Sequence, residues 1–254
     1  MDYNNTFQKR GNLYKYATEV YPHVLDNEFQ TAVNMCDIYE GQVILNIPAA
    51  CVPLKRYFPE NIQDKICYIE YETNSAFATL MNIPCCQFTS VPLIDNTVDT
   101  IITLASLHHS NIEERTNFYK ECNRLLIQRP DSKLIIGDVL KGSKQDDWLN
   151  IFVNKYNSSG HTGIFWNDSD INLLESCGFN CRTAIKTYMW TFVDENAMLD
   201  FTKNLFGLDM ASDIEILNGL NQYLHPIYTK NCIYIEWSLI YFISTISPKL
   251  VHDV

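Results

Sequence analysis

Several things are scarce or missing in this chain, and each removes a class of function. Basic residues are few: 19 Lys and Arg stand against 30 Asp and Glu, for a net charge of −11. The densest cationic stretch is only Lys55-Arg56. Such a surface repels phosphate backbones, so nucleic acid is not an expected partner. The nine cysteines contain no C-x-x-C pair. Zinc-site spacing is therefore absent and no metal is expected. An odd number of scattered cysteines reads as buried, reduced thiols in a cytoplasmic protein. Long apolar runs are also missing. The richest, IYIEWSLIYFISTI (233–246), is interrupted by Glu236. It falls short of the roughly 20 residues a membrane span needs. The opening MDYNNTFQKRGNLYK has no apolar core, so neither a secretory signal nor a membrane partner is expected. Glycine is thin as well, with nine in 254 residues and none within VILNIPAACV (43–52).

What remains is ordinary for a globular enzyme-sized chain: 46% hydrophobic and 19% charged residues. The length suits a single domain with insertions. Short apolar runs of strand length fall at VILNI (43–47), ICYIEY (66–71), CCQFTSV (85–91), DTIITLA (99–105) and KLIIGDVL (133–140). Strand-like RTAIKTYMWTF (182–192) and CIYIEWSLIYFIS (232–244) follow later. Helical patterns separate them. Residues 12–35 and 74–82 are helical in spacing or composition. A helix with a stripe of Ile112, Phe118, Tyr119, Cys122, Leu125 and Leu126 starts at a capping box, Ser110 to Glu113. Another over 167–179 is capped by Asp168 or Ser169 and ends at Gly178. Two more helices lie over 195–209 and 211–224, the second started by Ser212 and stopped by His225-Pro226. GSKQDD (142–147) reads as a polar loop. Strands alternating with helices predict an α/β fold with a mostly parallel sheet covered on both faces. Ligands in such sheets sit at the carboxyl ends of the strands.

Within that frame, VPLIDNTVDTIITLASLHHS (91–110) resembles the L-P-F-x-D-x-S-F-D-x-V and A-L-H-H run of class I S-adenosylmethionine-dependent methyltransferases of the small-molecule type. EERTNFYKECNRLLIQRPDSKLIIGDV (113–139) is similar to that family's helix, loop and fifth strand. FWNDSDINLLESCGF (165–179) resembles its late helix, and EWSLIYFIS (236–244) its last antiparallel strand. The resemblance covers roughly 35–190 and 232–246. It implies a Rossmann-like seven-stranded sheet, mostly parallel with an antiparallel last strand. It also implies S-adenosylmethionine as cofactor and a small-molecule substrate. A helical cap over 1–35 and insertions at 142–166 and 194–226 are expected to cover the site, and a homodimer is compatible with the second insertion.

Position by position, the resemblance places Asn46 where the family carries its first acid. Pro48, Ala50 and Val52 stand where its glycines belong. Glu70 matches the ribose-binding acid, Gln87 replaces the acid near the adenine, and Leu104 borders the methionine part. Glycines in that loop let the backbone approach a ligand. Pro48 instead fixes its φ and has no N–H, while Ala50 and Val52 add Cβ atoms. His108 and His109 could take a proton from a substrate nucleophile. His161 lies in the glycine-flanked loop NSSGHTGIF, which could approach the site. Tyr14 and Tyr16, together with Asp138 at the end of the fifth strand, are candidate substrate contacts. Aromatic faces near a sulfonium attract its charge. Three readings stay open: methyl transfer to a small metabolite, non-methylating chemistry such as cyclisation on the same fold, and a non-catalytic binding protein.

Overall fold

The computed structural model describes residues 3–49 and 54–247, with side chains from residue 10 onward. Two helices, α1 (Tyr3–Val20) and α2 (Asp26–Asn34), precede the sheet, and α3 (Ser75–Met81) follows its second strand. The strands are β1 (Val43–Asn46), β2 (Cys67–Glu70), β3 (Thr100–Leu104), β4 (Lys133–Asp138), β5 (Phe179–Phe192), β6 (Ile227–Tyr228) and β7 (Ile233–Ile246). They form one seven-stranded sheet in the order β2-β1-β3-β4-β7-β5, with the two-residue β6 pairing to β7. β2, β1, β3 and β4 run parallel, whereas β7 runs antiparallel to both β4 and β5.

Alternation along the strands builds two cores. Ile44, Ile102 and Ile135 face one side with Trp237, Leu239 and Tyr241 of β7. Leu45, Ile101, Leu134 and Ile136 face the other with Ile240 and Phe242. A strand's period of two requires this when both faces are covered. The second face is closed by α4 (Ile112–Leu125) and α7 (Asp170–Ser176), through Phe118, Tyr119, Cys122, Leu125 and Leu174. The first face is closed by α1, α2, α8 (Glu195–Phe206) and α9 (Asp213–Gly219), with Trp148 and Phe201 at its centre. Gly137 lets the middle strands close up. A Cβ there would stand 2.7 Å from both Leu104 Cδ2 and Tyr241 Cε1.

Three local expectations change. Residues 85–91 make no strand: Glu72–Cys85 and Gln87–Ser90 are isolated bridges. Pro84 and Pro92 bracket the segment, and the Ser90 N–H donates to Gln87 O, so the chain turns back before it can pair along β2. The seventh strand is β6 instead. The α4 capping box is shifted by one residue, to Asn111 and Glu114, because Ser110 N–H is spent closing a 3₁₀ turn onto Leu107 O. Residues 142–147 are not simply a loop. Ser143 caps α5 (Lys144–Asp147), which continues through a π turn (Trp148–Val153) into α6 (Asn154–Tyr156). Buried Trp148, Leu149, Phe152 and Val153 on one side hold it against the sheet.

The helix that should follow β1 is also absent among the described residues. Two 3₁₀ turns, Leu54–Tyr57 and Gln63–Lys65, connect β1 to β2. The parallel registers bring Asn46 beside Glu70 and Leu104 beside Gly137, so the strand ends that matter share one edge. The order reverses between β1 and β3, which makes that point the expected ligand crevice.

Candidate active site

A cavity opens at this reversal. The ends of β1 and β3 supply Asn46, Pro48, Ala49, Leu104, Ala105 and Ser106. Helices α1 and α2 bring Arg10, Tyr14, Glu28 and Phe29 over it, and β5, α8 and β7 close it with Trp190, Phe206 and Trp237. The cavity volume is about 130 Å³.

Three histidines meet at one wall. His108 and His109 lie in a 3₁₀ turn just after β3, and His161 reaches them from the loop after α6. Their ring centroids are 4.1 Å (His108–His109), 5.4 Å (His108–His161) and 5.2 Å (His109–His161) apart. Ala105, between β3 and this turn, has φ +46, a left-handed conformation that a residue with a Cβ adopts at a cost. It turns the chain so that the histidines face the cavity and not the next helix.

The two histidine loops are fixed to each other. Ile164 N–H donates to His108 O at 2.8 Å. The buried Arg115 of α4 donates from Nε to Leu107 O at 3.1 Å and from Nη2 to Ile164 O, and its guanidinium lies 4.0 Å over Trp166. His161 N–H donates to Asn154 Oδ1 at 2.8 Å. Burial and the neighbouring imidazoles hold His109 and His161 well below the ordinary imidazole range, so both are neutral bases.

Asp138 does not face the cavity. It is wholly buried and takes the His108 ring Nδ1 at 2.8 Å and the backbone N–H groups of His108 (3.1 Å) and Val139 (2.8 Å). Burial alone would raise its carboxyl. The His108 imidazole and these hydrogen bonds outweigh that and hold it below the usual carboxylate range. A carboxylate only accepts, so His108 Nδ1 carries the proton of this bond and Nε2 is the ring nitrogen left over. The expected substrate contact is thus a positioning residue for His108.

Other expected residues distribute unevenly. Asn46, Pro48, Leu104 and Tyr14 line the cavity. Ala50 and Val52 lie outside the described residues. Gln87 is exposed on the turn that ends the false strand. Tyr16 is exposed and donates to Asp200 on the far side of α1. Glu70 is half-buried and is not among the residues lining the cavity; it pairs in register with Asn46, which is, and Tyr68 Oη donates to its carboxylate at 2.6 Å. That hydroxyl in turn accepts from Asn46 Nδ2 (3.2 Å) and Leu54 N–H (3.1 Å). Burial raises the Glu70 carboxyl, with the bonds from Tyr68 and Asn46 working against it.

Residues 62–136 match the family profile described as "Methyltransferase domain". Over that segment the chain is similar to a methyltransferase domain, and its sheet has the Rossmann-like fold of S-adenosylmethionine-dependent methyltransferases. An S-adenosylmethionine-dependent methyltransferase from Thermotoga maritima is 15% identical, with TM-score 0.54, covering 96% of this chain and 99% of that one. Phosphoethanolamine N-methyltransferase 2 of Haemonchus contortus, in complex with phosphomonomethylethanolamine and S-adenosylhomocysteine, is 11% identical with TM-score 0.60, over 97% of this chain and 60% of that one. The [4+2]-cyclase SpnF is 12% identical with TM-score 0.53, over 87% and 81%. The search of curated proteins finds no match. No helix among the described residues is long and apolar enough to cross a membrane.

The methyltransferase cofactor fits the residues present at two places. Glu70 already accepts a hydroxyl proton, which is what a ribose diol offers. The cavity reaches Asn46 and Leu104, which the resemblance expects near the methionine end. The loop departs from the family, because Asn46 is an amide and cannot pair with an ammonium as an acid would.

The two charged cavity residues, Arg10 and Glu28, and the aromatic wall of Phe29, Trp190, Phe206 and Trp237 were missed from the sequence. Glu28 is 7% exposed and donor-bound by Trp190 Nε1 at 2.5 Å. Burial pushes its carboxyl up to about 8, with the Trp190 bond opposing. Burial likewise lowers Arg10 to about 10. The signal for Glu28 was present: it is the one charge in the Leu25, Phe29, Ala32 and Val33 face of α2.

Proposed function

We propose that this methyltransferase domain acts on a small, largely apolar acceptor whose nucleophile enters beside the histidine cluster. The observation that carries this reading is the cavity joining the β1 and β3 strand ends to the three imidazoles and to an aromatic wall of Phe29, Trp190, Phe206 and Trp237. Bound S-adenosylmethionine supplies an electrophilic methyl group on its sulfonium. Glu70 and Asn46 would hold it, with Leu104 and Tyr14 bordering its methionine end. The chain's own work is alignment and proton control. The aromatic wall excludes water and orients a flat or apolar acceptor, which is the main lever on an in-line displacement. His108 Nε2, with its ring fixed by Asp138, is poised to take the acceptor's proton. The neutral His109 and His161 line the same wall. Arg10 and Glu28 supply the polar ends by which the acceptor is read.

The helical cap over 1–35 and the insertions at 142–166 and 194–226 act together as the lid of this site within a single domain of 254 residues. The eight described cysteines are all free, which suits the reducing cytoplasm where we place the protein. The partner is the small acceptor.

A second reading has its own support. Tyr68 occupies the Glu70 carboxylate, and no helix follows β1 among the described residues. A cofactor seated differently on this fold could take part in non-methylating chemistry, as the fold likeness to a [4+2]-cyclase allows. Incubation with S-adenosylmethionine and a panel of aromatic and aliphatic alcohols, phenols and amines separates the two. Release of S-adenosylhomocysteine supports methyl transfer. Release of methylthioadenosine, or turnover with the cofactor unchanged, favours the second reading.

A further inference from the structure

We infer that His108, His109 and His161 form a three-histidine site for a divalent transition metal, zinc above all, with its open position facing the cavity. One ring nitrogen of each residue can be chosen so that all three lie within 4.8 Å of one another. Tetrahedral zinc with bonds of about 2.0–2.1 Å needs nitrogens about 3.3 Å apart, so modest ring rotations complete the set. The rings are already close, and the loops that carry them are tied by the Ile164–His108 backbone bond and by Arg115.

Two further observations point to a ligand. His161 Nδ1 is buried and has no hydrogen-bond partner in the structure. A polar atom left so inside a protein calls for an ion or water. His108 Nδ1 is bound by Asp138, which leaves Nε2 as its donor atom; with a metal on it, Nε2 no longer takes the acceptor's proton, and the metal replaces it as the activating group. A metal-ligating histidine normally gives its other nitrogen to such a carboxylate. Asp138 is itself held by two backbone N–H groups, so the outer support is complete.

Three neutral imidazoles with one outer carboxylate leave a net positive charge on the metal. Arg10 on the same cavity wall adds to it, so the fourth ligand is an anion: a hydroxide, or an acceptor oxygen that has lost its proton to water. The metal changes neither oxidation state nor any bond of the protein. Only this last role rests on the methyl-transfer reading; metal binding does not. The expectation of no metal came from cysteine spacing, whereas these ligands come from two distant loops.

The test uses the full chain freed of metal with a chelator. Zinc is titrated against a competing chromophoric chelator, and cobalt(II) is added separately for its visible spectrum. One equivalent is expected, with the visible bands of tetrahedral cobalt and without strong thiolate-to-cobalt absorption in the near ultraviolet. His161→Ala should abolish the site, and Asp138→Asn should weaken it roughly 10–100-fold. His161→Gln, with far-ultraviolet dichroism and a melting curve, separates site loss from misfolding. Absence of tetrahedral cobalt bands, a thiolate spectrum, or binding unchanged in both His161 variants overturns the inference. S-adenosylmethionine binding by the metal-free protein is measured in parallel. If it persists while zinc fails to bind, the metal site falls and the proposed function stands.

Discussion

Glu28 gives the sharpest thermodynamic prediction. Its carboxyl lies in the cavity, buried, and is pushed up to about 8 in the folded chain. In the unfolded chain it ionises near pH 4.3, as a free Glu does. Between those values the folded state holds a proton that the unfolded state has released. Stability is therefore greatest below the unfolded pKa and falls as pH rises, by about 1.4 kcal/mol per unit, until the folded carboxyl also ionises. Glu28→Gln keeps the shape and an oxygen for Trp190 Nε1 but removes the titration. The variant should gain on the wild type by about 4 kcal/mol between pH 5 and pH 8. Urea unfolding of both proteins at pH 5, 6, 7 and 8 measures this, since all other titrating groups cancel in the difference. A gap that stays constant within about 1 kcal/mol over that range refutes the buried, protonated Glu28.

Other predictions follow from the same geometry. Asp138→Asn should cost about 1.5–3 kcal/mol at pH 7, because it removes the charge from a buried acceptor of three N–H bonds. Because the folded carboxyl is held low, that cost should shrink as pH falls through the folded pKa, which acid titration of the melting temperature reads. Gly137→Ala should destabilise by about 1–3 kcal/mol through its clash with Leu104 and Tyr241, measured by denaturant unfolding. Arg115→Met should lower turnover more than it raises KM, since it loosens both histidine loops without touching the acceptor wall; steady-state kinetics resolve the two.

Much of the fold was legible because its signals were local. Strands β1, β3, β4 and β7 are apolar runs whose alternation sorts directly into the two cores. Gly178 holds the left-handed position expected where a helix ends, whereas Gly207 stops α8 inside the helix expected to run to 209. The misreadings share a cause too. Residues 85–91 have strand composition, but prolines and a tight turn deny them a partner. Residues 142–147 open with polar side chains, so the buried stripe that begins at Trp148 was not joined to them. At the site, each histidine stood out singly, but their meeting depends on Arg115 and on a turn at Ala105, which no spacing reveals. Asp138 looked like a substrate contact because it ends a strand. Only the fold shows that its partner is His108.

In the proposed function, S-adenosylmethionine is held at the β1 and β3 strand ends, with Glu70 on its ribose. Isothermal titration of S-adenosylmethionine into the wild type and into Glu70→Ala and Leu104→Trp variants tests this placement. One site is expected in the wild type, at least about 10-fold weaker binding without Glu70 through loss of a charged hydrogen bond, and loss of binding when Trp fills the cavity. No binding at millimolar ligand, or equal binding by all three proteins, contradicts it.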